Sequence, residues 1–224
     1  IFILNMSDKI EKTSEEDGLY LFGSGEMDQL SPLKEGKEDD EMCESKIPLK
    51  IPLHFITPSE NITQIQCGQM FTMILSNLGN VYTFGCADNG GLGHEESIEA
   101  KRVDLSFKAT GISGGDCHGI AYNRENLAFW GQFRNTQGPI GEPILSPKYY
   151  QINSFFFQFI KNEISGTTHI IILTEEKNVF SFGNKEFGQL GLNPDEKKYN
   201  HLTIYKIDET DVEAIFTGDE HSFL

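Results

Sequence analysis

Short apolar runs alternate with polar turns along this chain, and the same arrangement returns several times. Met73-Ile74-Leu75 and Ile170-Ile171-Ile172-Leu173 have the length and branching of buried strands. Each leads into a polar, hairpin-forming stretch, Asn77-Leu78-Gly79-Asn80 or Glu175-Glu176-Lys177-Asn178. Beyond it lies an alternating segment, Val81-Tyr82-Thr83-Phe84 or Val179-Phe180-Ser181-Phe182, with the period of two that a strand requires. A glycine follows, Gly85 or Gly183, where the backbone can leave the strand with dihedrals other residues avoid. Gln189-Leu190-Gly191 closes a unit, with its leucine placed as a core plug.

The recurrence has a period. Residues 62–93, 109–141 and 159–191 share these marks, residues 18–30 carry the second half of a unit, and residues 212–224 carry the first half of another. Gly85, Gly131 and Gly183, each preceded by an aromatic, lie 46 and 52 residues apart. Phe71, His118, His169 and His221, each three residues after a glycine, lie 47, 51 and 52 apart. One such unit makes a small antiparallel sheet that cannot bury both faces alone. Neighbours must stack, and about 50 residues per unit suits a propeller blade. The pattern predicts an all-β chain of antiparallel four-stranded sheets, about four blades of a propeller.

Composition sharpens this. The 22 glycines and 17 phenylalanines among 224 residues fit many short strands joined by tight turns. With 34 acidic against 18 basic residues the net charge is −16, which removes the whole-domain basic footprint of direct, sequence-specific DNA binding. Two segments, 8–17 and 34–46, each carry a net −3 and read as solvated, with 1–17 an acidic disordered N-terminal segment. No apolar run reaches the roughly 18 residues of a membrane span, so no membrane partner is expected. The start, IFILNMSDK, lacks a basic n-region and a cleavage site, and Met6-Ser7-Asp8 reads as an initiator context. Cys43, Cys67, Cys86 and Cys117 form no metal-ligand spacing and read as free thiols. Asn61-Ile62-Thr63 matches a glycosylation acceptor by chance. No nucleophile–base pair stands out, and neither a metal nor another cofactor is expected.

The glycine–x–x–histidine strand, the Val-Tyr-x-Phe-Gly strand and the Gly-Gln-Leu-Gly end together resemble the repeats of the regulator of chromosome condensation family, over about residues 18–224. That resemblance implies a seven-bladed β-propeller. It divides 18–224 into a half unit 18–31, a loop 32–58, units 59–93, 109–141 and 157–191, and a half unit 212–224, with further blades expected beyond the C-terminus. An arc of this kind exposes unpaired strand edges, so the isolated 224-residue chain is expected to self-associate.

One unit departs from the repeat. After Trp130-Gly131 the chain reads Gln132-Phe133-Arg134-Asn135-Thr136-Gln137-Gly138, where an ordinary unit closes with Gly-Gln-Leu-Gly. This segment resembles the wedge hairpin with which the family's nucleotide exchange factor presses into the small GTPase Ran. The resemblance implies a guanine-nucleotide exchange factor that makes no covalent bond, with Ran as partner and histones or the nucleosome as a further one, in the nucleus on chromatin. It places Asp116 at a family aspartate used against the GTPase. Glu26 and Glu142 fall at acidic face positions, and Thr168 falls where the family has a second functional aspartate; Asp219 and Glu220, ahead of His221 in the next unit, are placed to supply acidity there. Phe133 and Arg134, which no repeat slot requires, are expected as exposed interface anchors. Trp130 is expected in the core, and the recurrent histidines are expected to tie blades together through hydrogen bonds to backbone. The alternative is a repeat-propeller interaction scaffold without exchange activity, cytoplasmic or ciliary; the uncharged Thr168 favours it.

Overall fold

The computed structural model describes residues 18–26, 29–30, 44–95, 97, 99–151, 160–192 and 199–224. The acidic segment 1–17, most of 34–46 with Cys43, and residues 157–159 lie outside the described residues.

Every described sheet is antiparallel, and the sheets follow one another in chain order. The first joins β1 (Tyr20–Ser24) to β2 (Glu44–Lys50). The first full blade is β3 (Ile62–Cys67), β4 (Phe71–Ser76), β5 (Val81–Gly85) and β6 (Lys101–Arg102). The second is β7 (Gly111–Gly114), β8 (His118–Tyr122), β9 (Asn126–Asn135) and β10 (Gly138–Gln151). The third is β11 (Ile160–Ser165), β12 (His169–Thr174), β13 (Val179–Gly183) and β14 (Tyr205–Lys206). A last pair, β15 (Phe216–Thr217) and β16 (Ser222–Phe223), repeats the first two strands of a blade. The first strands β3, β7, β11 and β15 pack beside one another, so the three complete sheets and two half sheets form an arc of a β-propeller around those strands.

The apolar runs are continuous because both faces of each sheet are covered. Along β4, Ile74 faces back towards Leu19 and Leu21 with Tyr82 and Phe84, while Met73 and Leu75 face forward onto Ile112, Ala121 and Trp130. Ile120, Phe129 and Phe133 meet Ile170, Ile172, Phe180 and Phe182 across the next gap. Ile171, Leu173 and Val179 meet Val212 and Ile215 across the last. Alternate residues of one strand thus serve two different cores. Polar ties cross the same gaps. The Gln64 amide accepts from the Ile112 N–H (3.1 Å) and donates to the Ile112 carbonyl (2.8 Å), and Trp130 Nε1 donates to the Gly91 carbonyl (2.9 Å).

The stretch 32–58, expected to be a loop, contributes β2. Its sequence hides a strand: Pro48 removes a donor, and Ile47 is 64 % exposed, as an outer strand tolerates.

Candidate functional site

In the three full sheets and the last pair, the first two strands are joined by a four-residue loop that opens on glycine. These loops are Gly68-Gln69-Met70-Phe71, Gly115-Asp116-Cys117-His118, Gly166-Thr167-Thr168-His169 and Gly218-Asp219-Glu220-His221. In all four the glycine N–H donates to the carbonyl three residues on, at 2.8–3.0 Å. The loops are also stitched to their neighbours. Gln69 N–H donates to the Asp116 carbonyl (3.2 Å), Asp116 N–H to the Thr167 carbonyl (2.9 Å), and the Thr167 hydroxyl to Asp219 Oδ1 (2.7 Å).

Glycine is required here by close approach. A Cβ on Gly115 would lie 2.6 Å from the Gly166 carbonyl and 2.1 Å from Cε1 of His118, whose ring folds back over the loop; Gly68 and Gly166 are crowded in the same way, and Gly218 is crowded by the His221 ring alone. With no side chain at that position, the next residue is what each loop presents. Gln69, Asp116, Thr167 and Asp219 line a concavity of about 410 Å³ at the axis. Burial pushes the half-buried Asp116 carboxyl up; Arg134 pulls it down, and Asp219 adds to the upward push.

The β9–β10 hairpin rises from this same end. His118 pairs with Gly131, so the residues beyond Gly131 leave the sheet beside the Asp116 loop, and Gln132 N–H donates to the Cys117 carbonyl (3.0 Å). In the first and third blades the chain turns after Gly85 or Gly183, and a hydroxyl, Thr83 or Ser181, donates to the carbonyl of the plugging leucine, Leu92 or Leu190 (2.7 and 2.8 Å). The second blade has Phe129 at that position, and β9 runs straight on. Thr136-Gln137 makes a two-residue turn, with Asn135 Oδ1 accepting from the Gln137 N–H (2.9 Å). A register shift between Ile140 and Ile144 absorbs Gly141-Glu142-Pro143.

Several expectations change. Phe133 is 1 % exposed and is no surface anchor. It stacks on Phe129 at 4.8 Å and fills the space left when the leucine plug is absent, between His118 (4.8 Å) and Phe182 (5.7 Å). Gln132 is also buried, its side chain donating to the Gly141 carbonyl. Arg134 is half-buried and directs Nη1 at Cys117 Sγ (3.8 Å). Only Asn135, Thr136, Gln137 and Gly138 form the raised tip. Thr168 turns away from the axis: its hydroxyl accepts from Gln189 Nε2 (3.3 Å) and its carbonyl from the Asn184 N–H (2.9 Å). The neighbouring Thr167 occupies the place equivalent to Asp116. Glu26 is exposed in the turn after β1, three residues beyond Gly23, as Arg134 and Glu186 are beyond Gly131 and Gly183. Glu142 is exposed in the β10 bulge.

The histidines act by packing more than by hydrogen bonds to backbone. His169 Nε2 meets the Ser222 hydroxyl (2.8 Å), whereas neither ring nitrogen of His118 has a partner among the described residues. Burial lowers His118 to about 3 and His169 to about 4, each helped by the next histidine along. His221 is exposed. Cys67, Cys86 and Cys117 form no disulfide among the described residues. Among the described residues no cluster of His, Cys, Asp or Glu could hold a metal ion, and no helix is long and apolar enough to cross a membrane.

Two further acids stand at this end. Asp219 lies opposite Asp116. Glu186, from the third blade, accepts the Thr136 N–H (3.0 Å) and hydroxyl at the hairpin tip. The sequence points to Asp219 as a source of acidity ahead of His221; Glu186 escaped it, marked only by its offset from Gly183.

No family model matches the chain. It is 33 % identical over 192 residues to the regulator of chromosome condensation of Mus musculus, covering 80 % of this chain and 42 % of that protein. It is 34 % identical over 184 residues to that of Xenopus laevis, covering 77 % and 40 %. Among solved structures, Prp20p from Saccharomyces cerevisiae, described together with its binding to Gsp1p and histones, superposes with a TM-score of 0.77 at 26 % identity, covering 91 % of this chain and 50 % of that one. The chain spans about two fifths of the length of these curated relatives.

Proposed function

The chain belongs to the regulator of chromosome condensation family, and from that premise we propose that it acts as a guanine-nucleotide exchange factor for a Ran-type GTPase, in the nucleus and on chromatin, with histones as a further partner. The observation that carries the reading is the β9–β10 hairpin. It replaces the ordinary closing turn in one of the three full blades described, and it rises beside the axial mouth that holds Asp116. Prp20p, described by its binding to Gsp1p and histones, supports the partner classes.

An exchange factor makes and breaks no covalent bond. It binds the nucleotide-free GTPase more tightly than the loaded form, and only that difference drives nucleotide out. The chemistry asks for a rigid surface, so that little binding energy goes into ordering it. Here the mouth is built from main chain stitched across blades, and the hairpin is rooted by the buried Phe133 and Gln132. Asp116 offers a partly buried carboxylate, with Arg134 close enough to draw its proton affinity back down. The exposed tip, Asn135 to Gly138, is the element that enters the partner.

The test is release of labelled GDP from Ran. Wild-type protein should accelerate it. Asp116→Asn should lose at least about tenfold, as expected when one member of a partly desolvated charged contact is removed. Replacing Asn135–Gly138 by a plain two-residue turn should abolish the effect while sparing Phe133. No acceleration by the intact protein would refute the exchange reading. One observation favours the second reading, a propeller scaffold without exchange activity in the cytoplasm: Thr167 puts a neutral hydroxyl where a neighbouring loop carries Asp116. In that case the face still binds a protein, and GDP release stays at its spontaneous rate.

A further inference from the structure

Arg134, the cation nearest the hairpin tip, turns inward to the Asp116 loop. Two residues of β9 clasp Cys117, which follows Asp116: Gln132 N–H donates to its carbonyl (3.0 Å), and Arg134 directs Nη1 at its sulfur (3.8 Å). Asn89 Nδ2 of the first blade points at the same sulfur (3.8 Å). Cys117 is buried. Burial first, then the Asp116 charge, pushes its thiol up, so the sulfur is a weak neutral acceptor and leaves the guanidinium charge unmatched. The carboxyl of Asp116 answers that charge: Arg134 draws it down, against burial and against Asp219.

The repeat register gives the same pairing independently. Three residues after the aromatic–glycine, the first blade has Asp88, the second Arg134 and the third Glu186. One residue after the loop glycine, the same blades have Gln69, Asp116 and Thr167. Neutral loop residues go with an acid at the other position. The blade with an acid in its loop is the one with a base. That blade is a full sheet with a full sheet on either side.

We propose that Arg134 is a positioning residue: it ties the root of the hairpin to the Asp116 loop and keeps the Asp116 carboxyl charged and oriented for the GTPase, without touching the GTPase itself. The proposal rests on the exchange-factor reading, since it concerns how that site presents its acid. Around the carboxyl stand Arg134 from β9, Asp219 from the loop of the last pair, and the Cys117 thiol, on which Cys86 of the first blade also acts. Gln69 and Thr167 on the flanking loops carry no charge, and the buried His118 is neutral. Removing the cation leaves burial and Asp219, both of which favour the proton, so the carboxyl then loses its charge at a higher pH.

The experiment has two readouts on the intact protein: titration of the Asp116 carboxyl by carbon NMR in the free protein, and acceleration of GDP release from Ran between pH 5.5 and 8. Arg134→Gln and Arg134→Met, which keeps the packed stem, should each raise the Asp116 midpoint by about 0.5–1 in pH, with the acid limb of the release rate moving the same way. Either should slow release at pH 7.5 by about three- to tenfold. Arg134→Lys keeps the charge and loses the fork, so it should leave the midpoint near that of wild type and recover part of the rate. In an Asp116→Asn background, Arg134→Gln should change the rate by less than about twofold, because its effect passes through Asp116. An equal loss in both backgrounds would mean that Arg134 meets the GTPase directly, and would overturn the proposal. An Asp116 midpoint unmoved in both Arg134→Gln and Arg134→Met would overturn it as well. If wild type does not accelerate release, the exchange reading fails, while the titration still decides whether Arg134 sets the charge of Asp116.

Discussion

Glu163 sits where the other blades place isoleucine. Counted back from the loop glycines, Ile65, Ile112 and Ile215 take the slot three residues before Gly68, Gly115 and Gly218; before Gly166 it is Glu163. Glu163 is 4 % exposed on β11, opposite Ile172 on β12. Its Oε1 accepts from the Ser165 hydroxyl (3.3 Å), while Oε2 has no partner among the described residues. Burial raises its pKa from 4.5 to about 8, with the Ser165 hydrogen bond opposing. The folded chain therefore holds this acid protonated at pH 7, whereas the unfolded chain releases the proton. A raised carboxyl binds more protons folded than unfolded between pH 4.5 and about 8, so its contribution is complete below 4.5 and is lost as pH rises through that window. At about 1.4 kcal/mol per pH step, the loss between pH 6.5 and 8 is about 2 kcal/mol. Glu163→Gln keeps the shape and cannot ionise. The assay is urea unfolding of both proteins from pH 5 to 8.5, in a range where the transition is two-state. Glu163→Gln should be flat above pH 6.5 where wild type declines, and the two curves should converge towards pH 5. A wild-type curve flat from 6.5 to 8, or a gap independent of pH, would refute the reasoning.

The acid side runs the other way. His118 and His169, lowered to about 3 and about 4, favour folding fully only above pH 6.5 and cost stability as pH falls below it. His118→Phe, which copies Phe71 in the equivalent slot of the first blade, should make the protein more stable at pH 5 by about 2 kcal/mol and change little at pH 7.5. Gly131→Ala should destabilise by about 2–4 kcal/mol, because φ there is +90° and the new Cβ would meet the Cys117 carbonyl at 2.2 Å; chemical denaturation checks it. Leu190→Ala should cost about 2–5 kcal/mol by emptying a fully buried site, read as a lower urea midpoint with unchanged slope.

The all-β arc was legible because its marks are local and periodic. The aromatic–glycine pair sets the end of the third strand in the first and third blades, and the glycine three before the aromatic or histidine sets each axial loop, so spacing alone located both. Other parts carry no local signal. The fourth strands Lys101–Arg102 and Tyr205–Lys206 are two residues long and polar, defined only by the partner strand. Phe133 looked free because no repeat slot requires it. Its burial follows from Phe129, which removes the hydroxyl that binds the plug in the other blades and leaves an aromatic-sized space. Thr168 and Thr167 differ by one position in a tight loop, and which of them faces the axis is decided by hydrogen bonds to Gln189 and Asp219 from other segments. Glu186 joins the hairpin across 50 residues, a contact only the folded chain contains.

The glycine row of Gly68, Gly115, Gly166 and Gly218 separates what can vary from what cannot. An added carbon collides with the next loop's main chain at Gly68, Gly115 and Gly166, and with the His221 ring at Gly218. All chemical individuality at that mouth is therefore displaced by one residue, into a four-letter register that reads Gln, Asp, Thr, Asp around the arc. Letters in such a register can be exchanged without re-laying the backbone that carries them. Partner preference in a fold of this kind can thus change one blade at a time, with each blade voting separately on what is admitted.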